Sequence, residues 1–560
     1  MKFYKIYIII IISLLFSKPL YSDNYSYCSR IVIDGYFDDW NEVPSIDDEK
    51  GDTQGLDILQ VKMSQDDDYV FFFIQFNQEI NLQENNNITL YIDNDLSTST
   101  GELINSIGAD IVWRFGLRQG DWYINNFKYY IKHYDLEFCA LPTVTSDKFE
   151  FAISKKKQFN GVTPFQTNKF KIFIKAEDNG DFFPDKNKDI TFMITQCDQP
   201  PLPFIDLEKE SDNYLRISCW NCLNDNIANS SLEGNFIRIF KAISPDIIGL
   251  EELYKTEEPF VTTLFSKAFP NTNYYVKKQP YCDVVLVSKF KILDSKQING
   301  NAAFLVDMQE KYHTNAVVIV AHLPAMQNND SRLSEVLNII NFIKDLKDGK
   351  KWSNFEKNSP IFIIGDMNFV GYSEQLNTML TGIYKGQGEY NDWDGTAFQE
   401  ANPRLTEIPL SFTWISNGYY WPGKLDYIFY SDYVTEKKKS FVLYTPKMTN
   451  NAISKFGLNY DDSPKASDHC PITADFSIKN TNSINSFNDD RIYLTVKNNK
   501  LNISGLTVPS NLVIYDMLGN VVKSLYYIPE NDLYVENLRQ GIYFVKLEKI
   551  NYLFKFLILN

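Results

Sequence analysis

The chain has 560 residues, of which 44% are hydrophobic and 22% charged, with a formal net charge of −16. That apolar content excludes a disordered chain or a collagen-like fibre, and the length provides for several cores. The acidic balance excludes a protein that lives by non-specific attraction to nucleic acid, although a metal ion can supply positive charge locally to a phosphoester.

The first segment, MKFYKIYIIIIISLLFSKPLYS, places two lysines before an apolar run and then a polar stretch ending at Ser22. This order predicts a secretory signal over residues 1–22, too short to favour a membrane span. No later run approaches the ~18 unbroken apolar residues of a span, so the mature chain is expected to have no integral membrane segment. Seven cysteines is an odd and small number for the length, which speaks against a disulfide-built scaffold and leaves at least one thiol free in a monomer.

Over residues 23–197, short aromatic and β-branched runs (DYVFFFIQF, NITLYIDND, DIVWRF, FKIFIKAED) alternate with Asp/Asn/Gly-rich turns. The pattern predicts an antiparallel β-sandwich. Three prolines in DQPPLPF open a stiff linker, residues 198–210. From 211 to 478, strands (YLRISCWNC, DIIGLEEL, NAVVIVAHLP, PIFIIGDMN) alternate with helical stretches (FIRIFKAIS, SRLSEVLNIINFIKDL), which predicts an α/β domain. An Asn/Ser-rich connector, 479–490, leads to short strands over 491–560, a small β-sandwich.

In the α/β region several strands end in residues a buried sheet sheds: Trp220-Asn221, Glu251-Glu252, Gly365-Asp366-Met367-Asn368 and Asp468-His469. Oxygen-bearing side chains gathered at one sheet edge are what a hard divalent cation needs. Two of only four histidines, His322 and His469, fall at such ends. Each is a candidate cation or proton donor beside a phosphate, and Asp426 in GKLDYIFY is a carboxylate suited to fix a histidine tautomer.

The stretch SCWNCL has Cys-x-x-Cys spacing, but it lies at a strand end rather than at a helix start, and no second pair completes a zinc site. Cys219 and Asn221 share one face of the strand and Trp220 and Cys222 the other. The thiols therefore point apart, and Asn221 is the informative residue.

The ordered series Trp220-Asn221, Leu250-Glu251-Glu252, Ala321-His322-Leu323, Gly365-Asp366-Met367-Asn368, Leu425-Asp426-Tyr427 and Ser467-Asp468-His469 resembles the endonuclease/exonuclease/phosphatase superfamily of metal-dependent phosphoesterases. The resemblance implies a four-layer α/β sandwich, two β-sheets face to face with helices outside and the active site across one end. It implies a magnesium ion, with manganese or calcium as alternatives, held by Glu252 with Asn221 and Asp468 beside it. Asp366 would orient or deprotonate the attacking water, Asn368 hold a phosphate oxygen, His469 backed by Asp426 stabilise the transition state, and His322 stand on the leaving-group side. Glu251 stands where the family usually has Gln, which predicts an added negative charge beside the metal. Arg332 and Lys424 are the nearest candidates for substrate phosphate contacts, and the aromatic stretch Thr413 to Gly423 either lines a cleft or packs a loop.

The N-terminal motifs IDGYFDDW, GDTQGLDI, LYIDNDLSTSTG and AEDNGDFFPD resemble a family-9 carbohydrate-binding module, so carbohydrate is a candidate partner there. Asp93, Asp95 and the run Asp185 to Asp189 have the alternation of a calcium loop, while Trp40, Trp113 and Trp122 are expected in the core. VIYDMLGNVV and ENLRQGIYFVKLE, with Tyr515-Asp516, Gly519, Gly541 and Tyr543, resemble the C-terminal sorting domain of type IX secretion, which implies that secretion machinery as a partner. The expectation is a secreted or cell-surface magnesium-dependent phosphodiesterase with nuclease activity leading. A phospholipid or sugar-phosphate hydrolase, and a glycan-binding adhesin with a vestigial hydrolase domain, remain open.

Overall fold

The computed structural model describes residues 25–176, 180–185, 188–198, 202–353 and 355–479, and, towards the C-terminus, 493–497, 500–504, 510–516, 520–527, 533–534, 541–547 and 552–558. The expected signal, residues 480–490 of the connector, Asn187 and Gly519 lie outside the described residues. Residues 1–479 and 480–560 form two compact units.

The first unit begins with two antiparallel sheets. One runs in the order Ile46–Asp47, Ile58–Gln65, Tyr69–Ile80, Ser146–Ser154, Cys139–Leu141, and the other in the order Phe182–Phe183, Lys169–Lys175, Thr89–Asp93, Ile111–Arg114, Gln119–Ile124, Phe127–Ile131. The run Val70-Phe71-Phe72-Phe73-Ile74 is buried throughout because both faces of its sheet are covered. Phe72 and Ile74 pack into the sandwich core with Trp113, Trp122 and Phe151, while Phe71 and Phe73, one residue out of phase, join Trp40 and the core of the α/β region. A Cys28–Cys197 disulfide ties the two ends of the sandwich.

The α/β region holds two six-stranded sheets. The first has the order Tyr275–Lys278, Val285–Ser288, Ile247–Glu251, Leu215–Asn221, Ile472–Ile478, Thr435–Val442. The second has the order Ile292–Ile298, Asn301–Asp307, Asn315–His322, Ile361–Asp366, Asp426–Tyr430, Gln399–Glu400. Inner-face residues Ile217, Cys219, Leu286, Val318, Val320, Ile364 and Ile428 meet in one cluster. Helices Glu233–Ile243 and Glu258–Ala268 cover the outer face of the first sheet, and Asn329–Lys347 and Ser373–Thr381 that of the second. This is the expected four-layer arrangement.

The sandwich and the α/β region are joined by more than the proline linker. Thr143 Oγ1 donates to the carbonyls of Phe369 (2.8 Å) and Lys424 (3.1 Å), and the Ser411 amide donates to Ile33 O at 2.9 Å. Trp421, from the α/β region, lies in the sandwich core against Phe138, with its indole N–H on Ala140 O at 3.2 Å.

In the second unit Tyr493–Lys497, Lys500–Ser504 and Leu533–Tyr534 form one small sheet. Val521–Tyr527, Ser510–Tyr515, Gly541–Leu547 and Tyr552–Ile558 form another. Leu512, Ile514, Tyr543 and Val545, alternate residues of paired strands, are buried on one face.

Candidate active site

Strand register brings the polar ends together. His322 is opposite Asp366, and Asp366 opposite Asp426, on three neighbouring strands of one sheet. In the facing sheet Asn221 is opposite Glu251. Glu252 and Asn368 leave their strands with positive φ (61° and 48°), a conformation costly for residues with a Cβ and common where a side chain must be aimed at a site. Segment 467–469 is clipped beside them: Ser467 Oγ donates to Asn221 O (2.8 Å) and Trp220 Nε1 to His469 O (2.9 Å).

Asp366 is the hub. Its Oδ2 accepts from Asn221 Nδ2 (3.0 Å) and Asn368 Nδ2 (3.1 Å), and the Nε2 atoms of His469 and His322 lie 3.6 Å and 3.8 Å away. Asn221 Nδ2 also donates to Glu252 Oε1 at 3.0 Å, so one amide nitrogen holds two carboxylates together. The two histidines are oriented alike. His469 Nδ1 is 2.9 Å from Asp426 Oδ2, and His322 Nδ1 is 2.6 Å from Asp283 Oδ2. The sequence reading missed Asp283; its signal is an acid just ahead of an apolar strand, close to the pattern that marks Asp426.

Burial alone would lower the pKa of each imidazole, but the carboxylates outweigh it. Asp426 and Asp366 raise His469 to about 10, and Asp283 with Asp366 raises His322 to about 9. Burial raises Asp366 to about 6, against the pull of the histidines. Without a bound cation both imidazoles therefore carry protons at neutral pH, on either side of Asp366.

A set rich in carboxylates suits a hard divalent cation. Asp366, Asp426 and His469 present ligand atoms mutually within 4.8 Å, and Asp468 Oδ1 and Asp426 Oδ1 are buried without a hydrogen-bond partner. Glu252 Oε2 accepts from the Asn224 amide at 2.7 Å, and Asp468 Oδ2 from Trp414 Nε1 at 2.9 Å. Glu251 departs from its expected role. Its carboxyl is fully buried between the sheets, near Gly249 and Gly365, with neither oxygen hydrogen-bonded, and burial holds its pKa well above the usual value. Burial thus favours the neutral form of this carboxyl over a negative charge beside the site.

The two basic candidates are both engaged within the fold. Arg332 is buried, its guanidinium donating to the carbonyls of Pro324 and Met326 and to Asn329 Oδ1. Lys424 is also buried, 2.6 Å from Glu400 Oε1 and bonded to Asn402 Oδ1 at 2.7 Å. Both cations are spent on holding loops. Asn368 likewise commits its side-chain N–H groups to Leu323 O and Asp366. Cys219 and Cys222 are free, buried and in separate clusters on opposite sides of the sheet.

The aromatic loop does two jobs. Trp414 pairs with His469 across an isolated bridge and holds Asp468, Trp421 enters the sandwich core, and Tyr419 and Tyr420 stay exposed between them. Lys132 of the sandwich lies over Tyr419, and Arg118 over Tyr420. Trp40, Trp113 and Trp122 are buried and offer no open face for stacking on a sugar.

Residues 219–469 match the Endonuclease/Exonuclease/phosphatase family, and residues 490–560 match the secretion system C-terminal sorting domain. The chain therefore carries a phosphoesterase domain of that family and a type IX sorting tail, and it is a secreted or cell-surface protein. Among the described residues no helix is long and apolar enough to cross a membrane. A comparison with curated proteins finds no match. Similar solved structures include the human Nocturnin catalytic domain with bound sulfate anion (16% identity, 49% of this chain and 96% of that one, TM-score 0.32). Others are D. rerio TDP2 complexed with single strand DNA product (14%, 47% and 99%, 0.32) and an endonuclease/exonuclease/phosphatase family protein from Leptotrichia buccalis (13%, 47% and 99%, 0.33).

Proposed function

We propose that the chain is an exported, magnesium-dependent phosphodiesterase, with nucleic acid as the leading substrate. The observation that carries the reading is the pair of carboxylate-backed histidines, His469–Asp426 and His322–Asp283, flanking Asp366 at the mouth of the sheets. Glu252, Asn221 and Asp468 would hold the cation, which supplies Lewis-acid stabilisation of charge on a phosphoryl oxygen when bound. Asp366 accepts a proton from, or orients, the attacking water. His469 donates to a non-bridging oxygen as negative charge builds there, and His322 protonates the leaving oxygen. Asp426 and Asp283 hold each protonated imidazole by Nδ1, so that its Nε2–H is the proton available for donation.

The test is a substrate panel of duplex DNA, RNA, bis-nitrophenyl phosphate, sphingomyelin and inositol phosphates, each with magnesium, manganese, calcium or EDTA. Plasmid nicking that EDTA abolishes supports the nuclease reading. Turnover of only the lipid or sugar phosphates moves the substrate class, and failure on every substrate with every metal overturns the enzyme.

A further inference from the structure

Away from the active site, one end of the N-terminal sandwich gathers carboxylates. Oxygens of Asp48, Asp52 and Asp181 lie mutually within 4.8 Å. Asp57 is a neighbouring acid that acts on Asp52 and Asp181. It is 2% exposed, its Oδ2 accepts from the Gly51 amide at 2.8 Å in the loop that carries Asp52, and its Oδ1 has no partner. Asp48 Oδ2 is buried and unpartnered as well. The principal charges acting on Asp48 and Asp52 are all acidic: Asp181, Asp185, Asp57, Asp52 and Glu49.

The convergence is built rather than incidental. Asp181 comes from a loop 123 residues beyond Ile58, yet its Oδ2 accepts from the Ile58 amide at 2.9 Å and its Oδ1 from the Phe182 amide at 2.6 Å. Backbone donors thus fix Asp181 and Asp57 in place, while Asp48 and Asp181 share a hydrogen bond and burial with the neighbouring acids raises Asp48 to about 8. An unpaired carboxylate oxygen in the interior is costly unless hydrogen-bonded or bound to a cation.

We propose that Asp48, Asp52, Asp57 and Asp181 form a site for a hard divalent cation, calcium by ligand number and type, which fastens the 48–57 loop to the 181–185 loop. Several carboxylates on loops suit the six to eight oxygen ligands and variable geometry of calcium better than the strict octahedron of magnesium. The second acidic group, Asp93, Asp95 and Asp110, lacks the orphan oxygens. Leu96 N caps Asp93, Ser97 N and Thr100 Oγ1 cap Asp95, and Asn94 N caps Asp110. Asp93 and Asp95, which have the alternation of a calcium loop in the sequence, thus carry their oxygens on backbone and hydroxyl donors, unlike the end of the sandwich where Asp57 is buried.

The test is calcium chloride titration by calorimetry, with melting temperature in parallel, on the chain carrying Glu252→Gln to weaken binding at the active site. Adding Asp57→Asn should remove one calcium equivalent and most of the calcium-induced rise in melting temperature. Asp52→Asn, at an exposed side chain, should weaken that equivalent at least tenfold without unfolding risk. Unchanged stoichiometry, affinity and melting shift in Asp52→Asn overturn the site, whether or not Asp57→Asn folds. Equal affinity for magnesium overturns the calcium assignment.

Discussion

Asp283, just ahead of an antiparallel strand of the first sheet, reaches across to His322 on the second and meets its Nδ1 at 2.6 Å. The bond spans the two sheets at the level where Asn221 and Glu252 emerge, so the cleft is fixed from both walls. Asp283→Asn should keep the fold but weaken the hold on the protonated imidazole. A fall of roughly 10- to 100-fold in kcat is expected, with KM little changed. Steady-state kinetics on bis-nitrophenyl phosphate would show it, and unaltered kcat would remove Asp283 from the machinery.

His469→Ala and Asp366→Ala should each cost at least about a hundredfold in rate, the loss typical of one transition-state donor. Circular dichroism should be unchanged. Full activity in either variant refutes the assigned roles.

Arg332→Ala should act on stability rather than on substrate. It strips the carbonyls of Pro324 and Met326 of their buried donor, at about 3 kcal/mol or more. Arg332→Lys should not rescue it, because an ammonium cannot reproduce the planar fork. Urea melts decide this, and KM at a temperature where the variant is folded should match the parent.

His133 is 2% exposed, and burial lowers its pKa to about 4. Its folded pKa lies below the unfolded value near 6.5, so the unfolded chain binds the extra proton between those limits. Stability from this group is complete above about pH 6.5 and falls as pH drops towards 4, by up to about 3 kcal/mol. Urea midpoints against pH should flatten over that window in His133→Gln. An unchanged slope would show that His133 is not the group responsible.

Much of the site was legible because a strand that ends in Asp, Asn or His after an apolar run declares that its last side chain is not for the core. Register alone then sets His322, Asp366 and Asp426 side by side. Asp283 was missed because it belongs to no motif of the series, and an acid just ahead of an apolar strand is a weak signal by itself. Arg332 and Lys424 show the opposite failure: a cation near a site in sequence says nothing of whether its partners are phosphates or its own loops. Glu251 changed meaning through burial, which spacing cannot supply. The unalternating run Val70 to Ile74 carried the sign of a sheet covered on both faces, which the reading of a β-sandwich alone did not use.

The indole of Trp421 and the carbonyl of Ala140 are 281 residues apart in sequence. Closing a loop of that length costs entropy, which the buried indole has to offset. The loop that steadies Asp468 and His469 through Trp414 therefore takes its other anchorage from the sandwich, where Trp421 is seated. The N-terminal sandwich is thereby part of what steadies the candidate active site, through Trp421 on one side of the loop and Trp414 on the other.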